Sequence, residues 1–401
     1  MENTKPKINK LKLNVLLDIT KSINNNLSTD KLLKKFEQFL LELNIGKLAL
    51  YSNNKGWKCI LKYGYKEELE EINVAEELLP INEIISLINT KNPHFKPYDV
   101  IVPVFHKSQP LAYLLIGDVY KNQLEISPVI KHLPFIQTLT NIIIVAIENK
   151  RLAKEHILQE GIRKEMELAS QMQAMLFPSK LPQNEKLEMA GFFLQHDEVG
   201  GDYYDFIWLN ENEIAFCIAD VSGKGVSAAL LMSNFQANIR ALSNKNGSLT
   251  DLVRELNTLV LANAKGEKFI TLFVAKYHTG YRVLNYINAG HNPPILFSEN
   301  KINFLETGCT GLGMFDELPL VKEGSVTITP NAMLACYTDG VVELENESGQ
   351  NFGIENFSKI ISENKEINVN ELKKIISEKL ISYKGKMPYF DDIALLLCRM
   401  F

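Results

Sequence analysis

Four aspartate sites share one local setting, a carboxylate at the end of an apolar run beside a glycine or a second acid. Gly200-Gly201-Asp202 precedes YYDFIWL, and Asp220 closes EIAFCIAD ahead of Val221-Ser222-Gly223-Lys224. Asp339 closes MLACYTD ahead of Gly340, and Asp391-Asp392 opens DDIALLL. A single Asp-Gly is an ordinary turn signal. Four such sites at strand ends can be gathered on one rim. Carboxylates gathered there without lysines or arginines repel one another, so they raise their pKa values or bind hard cations. An all-oxygen set favours Mg²⁺ or Mn²⁺ over zinc, which would call for cysteine or histidine.

The same stretches do not carry a nucleophile. Asp220 stands where a GxSxG elbow around Ser222 needs glycine. Ile218 stands where a phosphate-binding loop ending in Gly223-Lys224 needs its first glycine. Gly200-Gly201-Asp202 runs into Tyr203-Tyr204, which removes the second acid and the phenylalanine of a GGDEF cyclase signature. The five cysteines, Cys59, Cys217, Cys309, Cys336 and Cys398, are odd in number, scattered and without a CxxC pair. Three of them lie in apolar strand-like runs, where cysteine acts as a small core residue.

These acids need strands to hold them, and residues 185–401 supply candidates. EMAGFFL, DFIWL, EIAFCIA, FITLFVAKYH, YRVLNYIN, PPILFSE, SVTITP, MLACYTD and DIALLLCRM read as strands. VSAALLMSNFQANIRALS, LTDLVRELNTLVLANA and NVNELKKIISEKLIS read as helices. Strands with helices interleaved in blocks predict an α+β layered fold of two sheets covered by helices.

Residues 1–135 form a separate α/β unit of sensor size. LKLNVLLDITKSINNNLSTDKLLKKFEQFLLELN is helical by period, with a Ser28-Thr29-Asp30 entry suited to an N-cap. KLALYSNN and GWKCILKYG read as a hairpin across Asn53-Asn54-Lys55-Gly56, and DVIVPVFHKSQPLAYLLIGDV as a second pair turning near Ser108 to Pro110. Residues 136–184 then carry a helical linker. Its front half places Ile136, Leu139, Ile143, Ala146, Ala153 and Ile157 close to a heptad seam broken by Lys150, and its back half restarts at Ile162, Met166, Ala169 and Leu176. Gly161 lies between the two registers, either as a surface glycine or as a joint through which one domain biases the other. Pro178 and Pro182 mark the end of the linker. Such a helix predicts a parallel homodimer.

The chain has 401 residues, 46% apolar and 23% charged, with a net charge of −5 and no strongly basic segment. That balance argues against a nucleic-acid or anionic-membrane partner held by bulk charge. The polar, lysine-rich start is not a secretory signal, and IIIVAI at 142–147 is far short of the ~20 residues a membrane span needs. A cytoplasmic location is expected.

Taken in order, EVGGDYYDF, IADVSGKGVSAALLM, INAGHNPPILF, YTDGVVE and DDIALLL resemble the PPM (PP2C-like) metal-dependent serine/threonine phosphatases. The likeness is closest to the branch of the bacterial stage II sporulation protein E and stress-response regulator phosphatases, and EMELASQMQAMLFPSKLP resembles the helix before the catalytic domain in that branch. The resemblance implies a PPM-type β-sandwich flanked by helices and a binuclear Mn²⁺ or Mg²⁺ centre. It places Asp202, Asp220 and the main-chain carbonyl of Val221, where the family usually has glycine, on the metals. Asp339 and Asp391 would hold the second ion, with Asp392 an open alternative within its pair. These residues would act through activated water in direct hydrolysis.

Asp205 is expected to be a turn or supporting acid. His196 is either a loop histidine or the acid that protonates the leaving oxygen, His291 is expected to order a loop, and Thr271 to support the metal shell. Ala394 stands where a hydroxyl residue often follows the last metal aspartate. The branch implies a phosphorylated STAS-type anti-sigma-factor antagonist as substrate. Residues 10–150 resemble a GAF domain in pattern only, which implies a sensor whose signal is not specified. A phosphatase fold that has lost its chemistry and serves as a scaffold is the alternative reading.

Overall fold

The computed structural model describes residues 5–43, 45–53, 56–65, 72–87, 90–106, 108–117, 128–196, 199–244 and 247–401. The chain divides into two compact units, Met1–Glu160 and Gly161–Phe401.

In the first unit the helical stretch becomes two helices, α1 (Lys5–Asn24) and α2 (Thr29–Glu42). The asparagine run between them breaks the helix, and Asn26 takes a left-handed φ of 54°. Strands β1 (Lys47–Asn53), β2 (Trp57–Tyr63), β3 (Ile85–Ser86), β4 (Val100–His106) and β5 (Gln109–Gly117) form an antiparallel sheet in the order β2-β1-β5-β4-β3. Both expected hairpins are present; Asn54 and Lys55 of the first turn lie outside the described residues. Alternation along the strands sends Leu48, Leu50, Val102, Leu114 and Ile116 to one core and Ala49, Ile101, Tyr113 and Leu115 to the other.

Helix α3 (Pro128–Ala174) spans the boundary between the units. Its residues Ile136, Leu139 and Ile143, expected on a seam toward a second helix, are instead buried in the core of the first unit beside Phe36, Phe39 and Leu40. They are apolar because they close that core. The helix passes through Gly161 without a break, and a side chain there would meet nothing within 4 Å.

The second unit is a two-sheet sandwich. One sheet contains β7 (Tyr203–Asn210), β8 (Glu213–Val221), β9 (Ile270–His278), β10 (Val283–Ala289) and β13 (Gly308–Cys309) in the order β13-β10-β9-β8-β7, with β14 (Gly324–Thr327) also on β10. The other contains β6 (Leu187–Leu194), β11 (Ile295–Ser298), β12 (Lys301–Phe304), β15 (Ala332–Tyr337) and β16 (Ile393–Met400) in the order β12-β11-β15-β16-β6.

Helices α4 (Val226–Ser243) and α5 (Leu249–Ala264) cover the first sheet, and α7 (Gly353–Glu363) and α8 (Val369–Lys384) cover the second. The central strands are buried on both faces, so their sequences are apolar throughout. Phe216 and Ile218 of β8 point between the sheets with Leu396 and Cys398 of β16, whereas Cys217 and Ala219 face α4 and α5, and Leu395 and Leu397 face α7 and α8. The predicted layering is therefore present, with the strands β12 and β13 and the covering helix α7 added. No helix among the described residues is long and apolar enough to cross a membrane.

Candidate metal centre

Register brings the four acids to one rim of the sandwich. Tyr203 at the start of β7 pairs with Ala219 near the end of β8, so Asp202 and Asp220 leave adjacent strands on the same side. Tyr337 at the end of β15 pairs with Leu395 near the start of β16, which puts Asp339, opening the one-turn helix α6 (Asp339–Val342), near Asp391 and Asp392.

Thr338 ties the two strand pairs together. Its hydroxyl donates to Asp202 Oδ2 at 2.6 Å and accepts from the Ala394 N–H at 2.9 Å. Ala394, which has no hydroxyl of its own, meets this network through its main-chain N–H.

The acids feel one another. Asp202, 2% exposed, is held well above the usual carboxylate range by burial and then by the Asp220 charge, against the Thr338 hydrogen bond. Asp220 is pushed up to about 7 by burial, with the charges of Asp339 and Asp391 adding to it. Asp339 is raised by burial and by Asp391. Asp392 is raised by burial, against main-chain N–H donors.

The adjacent acids Asp391 and Asp392 are used differently. The His196 N–H donates to Asp392 Oδ1 at 2.9 Å and the Gly201 N–H to Oδ2 at 2.8 Å, so both oxygens of Asp392 hold main chain. A Cβ on Gly200 would overlap the Asp392 carboxylate, so glycine is required there. Asp391 accepts from the Asp392 N–H at 2.9 Å, and its Oδ2 lies 3.0 Å from the half-exposed Lys224 ammonium, which also donates to the Phe390 carbonyl. The expectation of a cluster without nearby cations is therefore corrected: Lys224 reaches back over the rim from the turn after β8.

Of the two alternatives for Asp205, a turn acid or a supporting one, the first is excluded. Asp205 lies inside β7, 1% exposed, where Arg240 of α4 donates from Nε at 2.6 Å and from its terminal nitrogen at 2.8 Å. The Tyr203 hydroxyl (2.5 Å) and the Phe206 N–H (2.8 Å) complete its partners. This ion pair fastens α4 to the sheet. His291 is buried and its ring is pushed down to about 4 by desolvation; Thr271, the cross-strand partner of Asp220, hydrogen-bonds its Nδ1 at 2.8 Å. His196 contributes its backbone N–H, and Glu198 of the first motif lies outside the described residues.

The donor set fits hard divalent cations. It is all oxygen, and the Val221 carbonyl lies only 2.8 Å from where a Gly201 side chain would begin, so glycine keeps the space beside that carbonyl open. Cys217, Cys336 and Cys398 are buried in the cores. Among the described residues no three acidic, histidine or cysteine side chains close on one point, so the rim is a ring of repelling charges rather than a finished cage.

Residues 210–401 match the family model of stage II sporulation protein E, a match that begins past Asp202. Within the second unit, residues 210–401 carry a SpoIIE-type, PP2C-like phosphatase domain. Its chain is 29% identical over 244 residues to the phosphoserine phosphatase RsbU of Bacillus subtilis, covering 60% of this chain and 72% of that protein. It is 26% identical over 187 residues to the phosphoserine phosphatase RsbP of the same organism, covering 45% of this chain and 46% of the relative. The SiaA PP2C domain of Pseudomonas aeruginosa shares the fold, with a TM-score of 0.54 at 20% identity over 61% of this chain and 99% of that domain.

Three features of the phosphatase domain escaped the sequence reading. Thr338 left a signal in YTD, as the residue before a candidate ligand. Lys224 stood in plain view beside Gly223 but was weighed only as part of a phosphate loop. Gln173, at the end of the linker helix, bonds to Gly200 and left no periodic signal because its role is polar.

Proposed function

We propose that this protein is a divalent-metal-dependent phosphoprotein phosphatase that hydrolyses phosphoserine or phosphothreonine on a STAS-type anti-sigma-factor antagonist. The observation that carries the reading is the gathering of Asp202, Asp220, Asp339 and Asp391 on one rim with their charges coupled. Asp202, Asp220 and the Val221 carbonyl hold one part of a two-ion Mn²⁺ or Mg²⁺ centre, and Asp339 and Asp391 the other. Asp392 is left out because its oxygens hold the His196 and Gly201 amides. Divalent ions at such a site lower the pKa of water and neutralise phosphoryl charge. The chain's own residues do the holding: Thr338 orients Asp202, and Asp392 fixes the Gly-Gly loop that precedes it.

The names of RsbU and RsbP support serine as the phosphorylated residue. The first unit is read as a GAF-like sensor, and the exposed apolar residues Leu152, Ile157 and Leu158 of α3 support pairing with a second copy. The test is Mn²⁺-dependent release of phosphate by the full chain from a phosphoserine protein or p-nitrophenyl phosphate, abolished by Asp220→Asn. No turnover with ample Mn²⁺ overturns the reading in favour of a scaffold.

A further inference from the structure

The last turn of α3 ends on the metal rim. Gln173 is 5% exposed, and its amide holds both polar groups of one residue: Nε2 donates to the Gly200 carbonyl at 2.7 Å, and Oε1 accepts the Gly200 N–H at 3.0 Å. Oε1 also accepts from Gln195 Nε2 at 3.1 Å, and Ser170 donates to Gln195 at 2.8 Å. Phe177, just beyond the helix, anchors this turn. Its ring stacks on Phe193 with centroids 4.7 Å apart and packs against Tyr203 and Tyr204 at 5.6 and 5.2 Å.

The Gly200-Gly201 loop is thus gripped from two sides. Gln173 takes Gly200, while Asp392 takes Gly201 and leaves no room for a side chain on Gly200. Two glycines have little intrinsic conformational preference, so the position of Asp202 is set by these clamps rather than by the loop itself. A buried peptide group whose partner is removed bears the full cost of desolvation, which favours a shifted loop over an unpaired one.

We propose that Gln173 is a positioning residue of the metal centre: by clamping the Gly200 backbone it fixes Asp202, and it makes the end of the linker helix a direct support of the metal site. The proposal rests on Asp202 being a metal ligand. A shift or unwinding of the final helical turn withdraws the clamp without touching a ligand. A role confined to anchoring the helix would lower thermal stability but leave Mn²⁺ affinity unmoved.

The experiment compares the full-length chain with Gln173→Leu, which cannot hydrogen-bond, and Gln173→Asn, which keeps the amide one methylene short. Mn²⁺ affinity is read by calorimetry, and amide hydrogen exchange of the metal-free protein is read over residues 199–202. The expected result is a slow Gly200 amide in the wild type, faster exchange at Gly200 and Gly201 in both variants, and Mn²⁺ binding weakened about tenfold, the worth of one to two lost hydrogen bonds. Fast exchange at Gly200 in the wild type overturns the clamp even if neither variant folds. Unchanged exchange and unchanged Mn²⁺ affinity in a folded variant overturn it as well. Absence of Mn²⁺ binding by the wild type, with Gly200 protected, instead overturns the reading of Asp202 as a ligand.

Discussion

Divalent-ion binding should be driven by rising pH, and the acids of the rim set the size of the effect. Asp220 is pushed up to about 7 and Asp202 well above its ordinary value, chiefly by burial and then by neighbouring carboxylates. At about pH 6 a carboxyl with that pKa is about 90% protonated, and at about pH 8 about 10%, so its proton must leave before a cation can be held. Asp220 alone then makes Mn²⁺ affinity about tenfold weaker at pH 6 than at pH 8, and Asp202 steepens the dependence.

The same groups act on folding. A carboxyl whose folded pKa lies above its unfolded value of about 3.9 binds more protons when folded, so its contribution is most favourable below pH 4 and is lost as pH rises through about 7. The metal-free phosphatase domain should therefore lose stability across that window, and Mn²⁺ should restore it. Calorimetric titration in two buffers of different ionisation enthalpy counts the protons released, and thermal unfolding with and without Mn²⁺ follows stability. Flat affinity between pH 6 and pH 8, with no proton released near pH 6, would refute the coupling.

Replacing Arg240 with leucine leaves Asp205 buried with only Tyr203 and Phe206 as partners. Breaking a buried pair costs about 3–5 kcal/mol, and because Arg240 is 46% exposed the cost should fall near the lower end, about 3 kcal/mol. For a domain of this size that lowers the unfolding midpoint by about 6–12 °C, whereas Arg240→Leu combined with Asp205→Leu should recover much of the loss. Thr338→Val keeps the shape but removes the donor to Asp202 and the acceptor for the Ala394 N–H. It should cost about 1–3 kcal/mol in urea unfolding and shift the onset of Mn²⁺ binding to higher pH, and an unshifted onset would show that the hydroxyl does not tune Asp202.

The strands of the phosphatase domain were legible because burial on both faces makes them continuous apolar runs, and the candidate ligands because each stands at one end of such a run near glycine or a second acid. The linker was harder. Ile136, Leu139 and Ile143 repeat at a spacing that serves a coiled-coil seam and the inner face of a domain helix equally well, and only the first unit's core distinguishes the two. Helix α7 was missed although Phe357, Ile360 and Ile361 mark its buried face, because Gly353 and the polar residues before it read as loop. Partners distant in the chain were invisible: nothing near Asp205 points to Arg240, and nothing near Gly200 points to Gln173.

What separates the acids of the rim is the company their oxygens keep. Asp205 and Asp392 lie within the same motifs as the proposed ligands and, like Asp202, are buried. Asp205 is consumed by a guanidinium, a phenol and an N–H, and Asp392 by the amides of His196 and Gly201. A carboxylate so engaged would have to give up those bonds before it could turn to a cation, and each such exchange weighs against the metal. Asp391 gives one oxygen to a neighbouring amide and shares the other with Lys224, whose ammonium is half-exposed and can withdraw into water at little cost. The pair Asp391-Asp392 therefore divides its work: one acid builds the loop that carries Asp202, and the other remains exchangeable. Replacing Lys224 with a neutral residue should strengthen Mn²⁺ binding if the ammonium only competes for Asp391.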